Sequence, residues 1–145
     1  MDNQGHRYMD ATPLLDSPQQ LRASAESNGY LFFRHLLPAK EVREVRRQIL
    51  SILDRHGLLE GDTELMEGCM DMEKVAAAEP FEGCTLRVYQ DVQRLEDFHR
   101  LSHHPALLRV YETLFGEPVF PHPRNIARIL FPGPQARATP PHQDF

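Results

Sequence analysis

Apolar positions recur along the chain with two different periods. The clearest stripe is Val42, Val45, Ile49, Ile52 and Leu53, at i, i+3, i+7, i+10 and i+11. That spacing is one face of an α-helix. Arg43, Arg46, Arg47 and Asp54 occupy the opposite face, and Gly57 follows as a stop. Ser17-Pro18 predicts a helix start, with proline at the first helical position. That helix runs to about Asn28, and Gly29 closes it. Two further helices are predicted over 95–102 and 105–115; Leu107, Leu108, Tyr111, Leu114 and Phe115 give the second a broad apolar face, and Gly116 ends it.

Strand patterns alternate with these helices. Tyr30-Leu31-Phe32-Phe33 is an aromatic, apolar run of strand length. Thr85-Leu86-Arg87-Val88-Tyr89 alternates, Pro118-Val119-Phe120 is strand-like, and so is the longer run over 125–131. Pro132-Gly133-Pro134 marks a turn, and a polar loop over 135–139 leads to the final residues. Residues 1–16 lack pattern and are expected to form a flexible N-terminal arm, with one domain over 17–145. Residues 60–82 hold eight acidic side chains against the single Lys74, with Gly61, Gly68 and Pro80 as breakers. A solvated surface loop is the plain reading, although residues 72–78 could form a short helix. A lid over a substrate is the functional one.

At 145 residues the chain has room for one domain with a real core. Its net charge of −5 argues against a nucleic-acid partner. No apolar run reaches the roughly 18 residues needed to cross a bilayer, so no membrane role is expected. The start of the chain lacks the features of a secretory signal. The two cysteines, Cys69 and Cys84, have no metal-site spacing and fit free thiols in a reducing compartment, which makes the expected location cytoplasmic.

The candidate chemistry lies at the end, in Pro140-Pro141-His142-Gln143-Asp144-Phe145. On an extended segment His142 and Asp144 share a face, because side chains alternate with period two. An imidazole and a carboxylate so placed are two of the three ligands of a 2-His-1-carboxylate site. His99 and His103, at i and i+4, share a helix face, but Arg100 stands where a zinc protease would carry its glutamate. His122 lies between two prolines and reads as structural.

Taken together, residues 28–145 resemble the N-terminal half of the phytanoyl-CoA dioxygenase family of Fe(II)/2-oxoglutarate oxygenases. The resemblance rests on Asn28-Gly29-Tyr30-Leu31 through Leu37-Pro38, the amphipathic helix after it, Gln90-Asp91-Val92-Gln93, His104-Pro105 through Gly116-Glu117-Pro118, and Thr139 through Phe145. It implies an α+β fold: an incomplete double-stranded β-helix, jelly-roll or cupin-like, with flanking helices on one side. It also implies Fe(II) on His142 and Asp144, 2-oxoglutarate as co-substrate with Arg87 near its carboxylate, and hydroxylation of an unactivated C–H bond in a small-molecule substrate. In the family a second histidine and a 2-oxoglutarate-binding arginine come later in the chain than Phe145. The chain is therefore expected to be a fragment, truncated after the His-x-Asp motif and inactive alone, its oligomeric state unset. The alternatives are a non-catalytic binding module that keeps the family's N-terminal helices, and a cupin-like metal-binding protein completed by a partner chain.

Overall fold

The computed structural model describes residues 8–78 and 83–131, and its described regular structure is helical. Six α-helices follow in order: α1 Pro18–Asn28, α2 Ala39–Arg55, α3 Met72–Ala77, α4 Gly83–Val92, α5 Glu96–Ser102 and α6 Pro105–Phe115. Single 3-10 turns lie at Thr12–Leu14 and Leu65–Glu67. Among the described residues there is no β-strand, only two isolated bridges: Asp10 with Phe32 (parallel) and Leu59 with Met70 (antiparallel).

This corrects the expected α+β jelly roll, and the reason is local. Residues 85–89 alternate, yet they lie inside α4. Val88 and Val92 are 1% and 0% exposed, and Cys84 packs against the same core. The spacing 84, 88, 92 is one helical face, and its burial overrides the period-two reading. The run 30–33 makes a single bridge. Residues 118–123 contain Pro118, Pro121 and Pro123, which have no N–H to give a ladder. Residues 125–131 have no neighbouring strand among the described residues.

Contacts divide the chain into two units, one of residues up to Val42 together with His99–Pro123, the other of Arg43–Phe98 with the residues from Arg124 onward. In the first unit, α1 packs against α6. Pro18 and Pro105 start these helices, where a missing N–H costs nothing. His104 caps α6, its Nδ1 accepting from the Ala106 N–H at 3.2 Å. Gly29 and Gly116 end α1 and α6 in the left-handed region, at φ 71° and 79°. Among the described residues of this unit Leu21 is the most deeply buried, 0% exposed, and Val110 of α6 is 5% exposed. Arg22, the next residue, donates from Nε to the Leu114 carbonyl at 2.7 Å and from Nη2 to that of Thr113 at 3.1 Å. A cation thus meets the last carbonyls of α6, which have no partner within the helix.

The stretch expected as a loose arm includes ordered residues. Ala11 is 1% exposed, and its N–H donates to the Phe32 carbonyl at 2.7 Å. Thr12 Oγ1 donates to Asp10 Oδ1 at 2.6 Å and accepts from the Arg34 N–H at 3.0 Å. Tyr8 meets Tyr30 edge-on at 5.1 Å, and Arg34 lies 5.2 Å over the Phe32 ring.

The second unit holds the larger core. Leu50, Ile52 and Leu53 of α2 pack with Leu58, Leu59, Val75, Val88, Val92 and Ala127. The end of α2 is a double cap: Gly57 N–H donates to Asp54 O at 2.7 Å and Leu58 N–H to Leu53 O at 3.0 Å, with Gly57 at φ 70°. The acidic stretch is tied down through residue 78. Leu59, Leu65, Met70 and Val75 pack into this core. Arg46 Nη2 donates to the Met66 carbonyl at 2.9 Å, and Asp71 caps α3 by accepting from Lys74 N–H at 3.1 Å. On the exposed face of α2, Arg47 binds both Glu44 oxygens at 2.9 and 2.6 Å; this pair, then Gln48, holds the Glu44 carboxyl down to about 2.

Two substitutions test these cores. Leu21→Ala should cost about 2–5 kcal/mol, as large-to-small changes at buried leucines do, read as a lower urea midpoint. Gly68 has φ 66°, and a Cβ there would sit 3.0 Å from Leu50 Cδ2. Gly68→Ala should therefore lower stability by at least the roughly 1–2 kcal/mol of a left-handed non-glycine residue, and an unchanged midpoint would show that the turn can relax.

Candidate functional site

His142 and Asp144, the expected iron ligands, lie outside the described residues. Arg87 is described, on the exposed side of α4. The resemblance implies an early strand at Arg87, and the structure has a helix there instead. His99 lies in α5 and His103 just after its end, where the His103 Nδ1 is turned back on the helix, 3.1 Å from the His99 carbonyl and 3.1 Å from Ser102 Oγ. Among the described residues, no three His, Cys, Asp or Glu side chains converge as a metal site would require.

The structure brings together two groups of polar side chains that spacing in the sequence does not reveal. In the second unit, His56 Nε2 is 3.0 Å from Asp91 Oδ2, with the two side chains 17% and 30% exposed. Arg94 Nη1 lies 3.4 Å from the other Asp91 oxygen. Helix geometry explains the meeting. Cys84, Val88 and Asp91 fall at i, i+4 and i+7 on α4, so the face that buries Val88 also turns Asp91 toward the end of α2. Cys84 Sγ donates to the His56 carbonyl at 3.6 Å, so its thiol hydrogen serves the backbone. The hydrogen bond from His56 holds the Asp91 carboxyl below the usual carboxylate range, with smaller help from the charges of His56, Arg55 and Arg94 against partial burial. Thirty-five positions separate His56 from Asp91. No motif spans such a gap, and the strand pattern of residues 85–89 hides the helical face that carries Asp91.

In the first unit a cleft of about 390 Å³ is lined by Thr12, Leu15, His35, Leu36, Pro105, Ala106 and Arg109. His35 stands at φ 55°, a left-handed conformation that is uncommon outside glycine. Two of the polar groups here are engaged within the unit. Arg109 Nη2 bonds Asp16 Oδ1 at 2.5 Å, and Thr12 Oγ1 bonds Asp10 and the Arg34 N–H. The Asp10 carboxyl is held low by the two Thr12 donors. The Arg109–Asp16 bond ties the segment before α1 to α6, and the Thr12 bonds tie residues 10–12 to Arg34.

Comparison with known proteins finds that the chain is similar to proteins named hydroxylases. It is 31% identical over 141 residues to 1-deoxypentalenic acid 11-beta-hydroxylase of Streptomyces arenae, and 31% identical over 142 residues to the protein of the same name from Streptomyces exfoliatus. Each match takes in 94% of this chain and 46% of the relative. The chain thus spans about half the length of the curated relatives it matches. No family model matches the sequence, and no solved structure matches it. No helix of the described residues is long and apolar enough to cross a membrane.

The His56–Asp91 pair yields a pH signature. A carboxyl with a lowered folded pKa stabilises the fold fully above its unfolded value, about 4, and loses that contribution as pH falls through the lower folded value. The denaturant midpoint should therefore drop below about pH 4. Asp10, Glu44 and Asp71 are also held low, so part of the drop is theirs. Asp91→Asn should flatten the profile below about pH 4 relative to the parent chain. Parallel profiles would show that His56 and Asp91 do not interact in solution.

Proposed function

We propose that this chain is part of an Fe(II)/2-oxoglutarate-dependent oxygenase that hydroxylates an unactivated C–H bond in a small organic acid. The observation that carries the reading is the run of 31% identity, through 94% of the chain, to two proteins named hydroxylases. The name of those relatives supplies the substrate class, an acid hydroxylated at a ring or chain carbon. His142-Gln143-Asp144 supports the choice of metal, because a neutral imidazole and a carboxylate one residue apart are a donor set suited to non-haem Fe(II).

His142 and Asp144 would hold the iron, and the bound metal with 2-oxoglutarate and O₂ would supply the oxidising chemistry. The task of this chain's own residues is to present one imidazole nitrogen and one carboxylate without competing protons. The imidazole must be neutral and the carboxylate ionised, so metal binding weakens as pH falls. Arg87 has no assigned part in this reading. The helical units described above would serve as the rigid support on which the metal-bearing segment is carried.

The test is metal binding first and turnover second. Chelator-stripped protein, titrated anaerobically with Fe(II) in a calorimeter, should bind the ion. His142→Ala and Asp144→Ala should each weaken binding at least about tenfold, because each removes one of few direct ligands. A hydroxylated organic acid should then form with consumption of 2-oxoglutarate in the complete protein, and only with iron present. Equal Fe(II) affinity in both variants and the parent would sink the proposal.

A further inference from the structure

Of the asparagines Asn3, Asn28 and Asn125, only Asn28 is followed by glycine. An Asn-Gly step is chemically labile. The backbone nitrogen after the asparagine can attack the side-chain carboxamide, and glycine, without a Cβ, crowds that approach least. The structure puts this step at the end of α1, where Asn28 is the last helical residue and Gly29 turns the chain away at φ 71° and ψ 6°. Asn28, Gly29 and Tyr30 are exposed.

In the closed turn both reacting groups are held. The Gly29 N–H donates to the Ala25 carbonyl at 2.9 Å. The Asn28 amide leans back along the helix, as helical side chains do, and its Nδ2 donates to the Ser24 carbonyl at 2.9 Å and to Ser24 Oγ at 3.2 Å. The proton of the nucleophile and the leaving nitrogen are thus both tied to the preceding turn. Helical ψ at Asn28 also aims the Gly29 nitrogen along the axis, away from the carboxamide carbon. The clamp is thin. Full burial in α1 ends at Ser24, 9% exposed, and Glu26, Ser27 and Asn28 all stand in water. Hydrogen bonds therefore hold the last turn without a buried side chain, and such helix ends fray.

We propose that Asn28 is a self-modification site: it loses ammonia through Gly29 when the last turn of α1 opens, and the products weaken the first unit. In the open turn the Gly29 nitrogen gives up its proton and bonds the Asn28 carboxamide carbon. The bond from that carbon to Nδ2 breaks, and ammonia leaves with the proton. Water then splits the cyclic imide at either carbonyl, without oxidation or reduction. Cleavage on one side leaves aspartate. Cleavage on the other leaves isoaspartate, with the main chain running through the former side chain. Neither product fits the native turn. A carboxylate only accepts, so the Ser24 carbonyl loses the Asn28 donor, and a negative charge is added at the negative end of the α1 dipole. In isoaspartate the extra main-chain carbon shifts Gly29 out of register with the Ala25 carbonyl. The next residues, Tyr30 and Phe32, hold residues 8–11 through the Tyr8 ring and the Ala11 N–H, so that segment is loosened with them. The inference does not depend on iron or on the oxygenase reading.

The test follows the 145-residue chain at neutral pH and body temperature, in buffer and in concentrated urea. Peptide mass spectrometry measures acid at position 28 and separates aspartate from isoaspartate. The rate in buffer should be at least about tenfold below that in urea, which corresponds to an opening free energy of about 1.4 kcal/mol or more. Leu21→Ala, which weakens the anchor of α1, should raise the buffer rate at least about threefold and leave the urea rate unchanged. If that variant unfolds, its buffer rate should reach the urea rate, as the proposal equally requires. Asn28→Gln, which keeps the amide on a longer side chain, should form acid far more slowly in both media. The deamidated chain, and the variant Asn28→Asp, should melt at least roughly 2 °C below the parent, with faster amide exchange over residues 8–12. Equal rates in buffer and urea, no response to Leu21→Ala, or an unchanged melting temperature after deamidation would overturn the proposal.

Discussion

Burial of one face of α4 sets the second unit. Val88 and Val92 are almost wholly withdrawn from water, one helical turn apart, against Leu50, Ile52 and Leu53 of α2. Near 25 cal/mol per Å² of apolar surface, each such side chain contributes on the order of 1.5–3 kcal/mol. The differences among backbone propensities are smaller. Residues 83–92 are therefore helical because that form delivers three apolar side chains to one place. Once the helix forms, Asp91 has to emerge beside the end of α2, and His56 is the group it meets there. The electrostatic pair is thus a consequence of the packing.

Much of the helical framework was legible in the chain itself, for reasons that can be named. α1 begins and ends where Pro18 and Gly29 put it, and α6 where Pro105 and Gly116 put it. Those residues act locally: proline presets the first turn, and glycine takes the left-handed exit at low cost. The stripe on α2 was legible because its period extends over three turns, although Val42 at its head is 43% exposed. The five residues 85–89 misled because five positions are too few to separate a period of two from one of 3.6 when the buried face repeats every four. The apolar runs at 30–33 and 125–131 had the composition of strands, but a strand is a property of two segments, and the second segment was not in view.

The candidate site divides along the same line. His142 and Asp144 were found as a short motif, which sequence can show, while their setting lies outside the described residues. Arg87 rests on the family resemblance alone, and its segment is a helix. The pairs His56–Asp91 and Arg109–Asp16 join positions 35 and 93 residues apart. Such meetings depend on the path of the chain in space, and no local pattern encodes them.

The guanidinium of Arg22 at the end of α6 has a consequence for how the protein is made. It reaches carbonyls 91 and 92 residues further along the chain. The helix that carries it leaves the ribosome long before its partner exists. At roughly 5–20 residues per second, α1 waits at least several seconds with the apolar Leu21 face uncovered. The second unit's segment 43–98 is synthesised during that wait. The unit that begins first is thus completed late, and the interval is a period in which a chaperone or a neighbouring nascent chain can reach the exposed stripe.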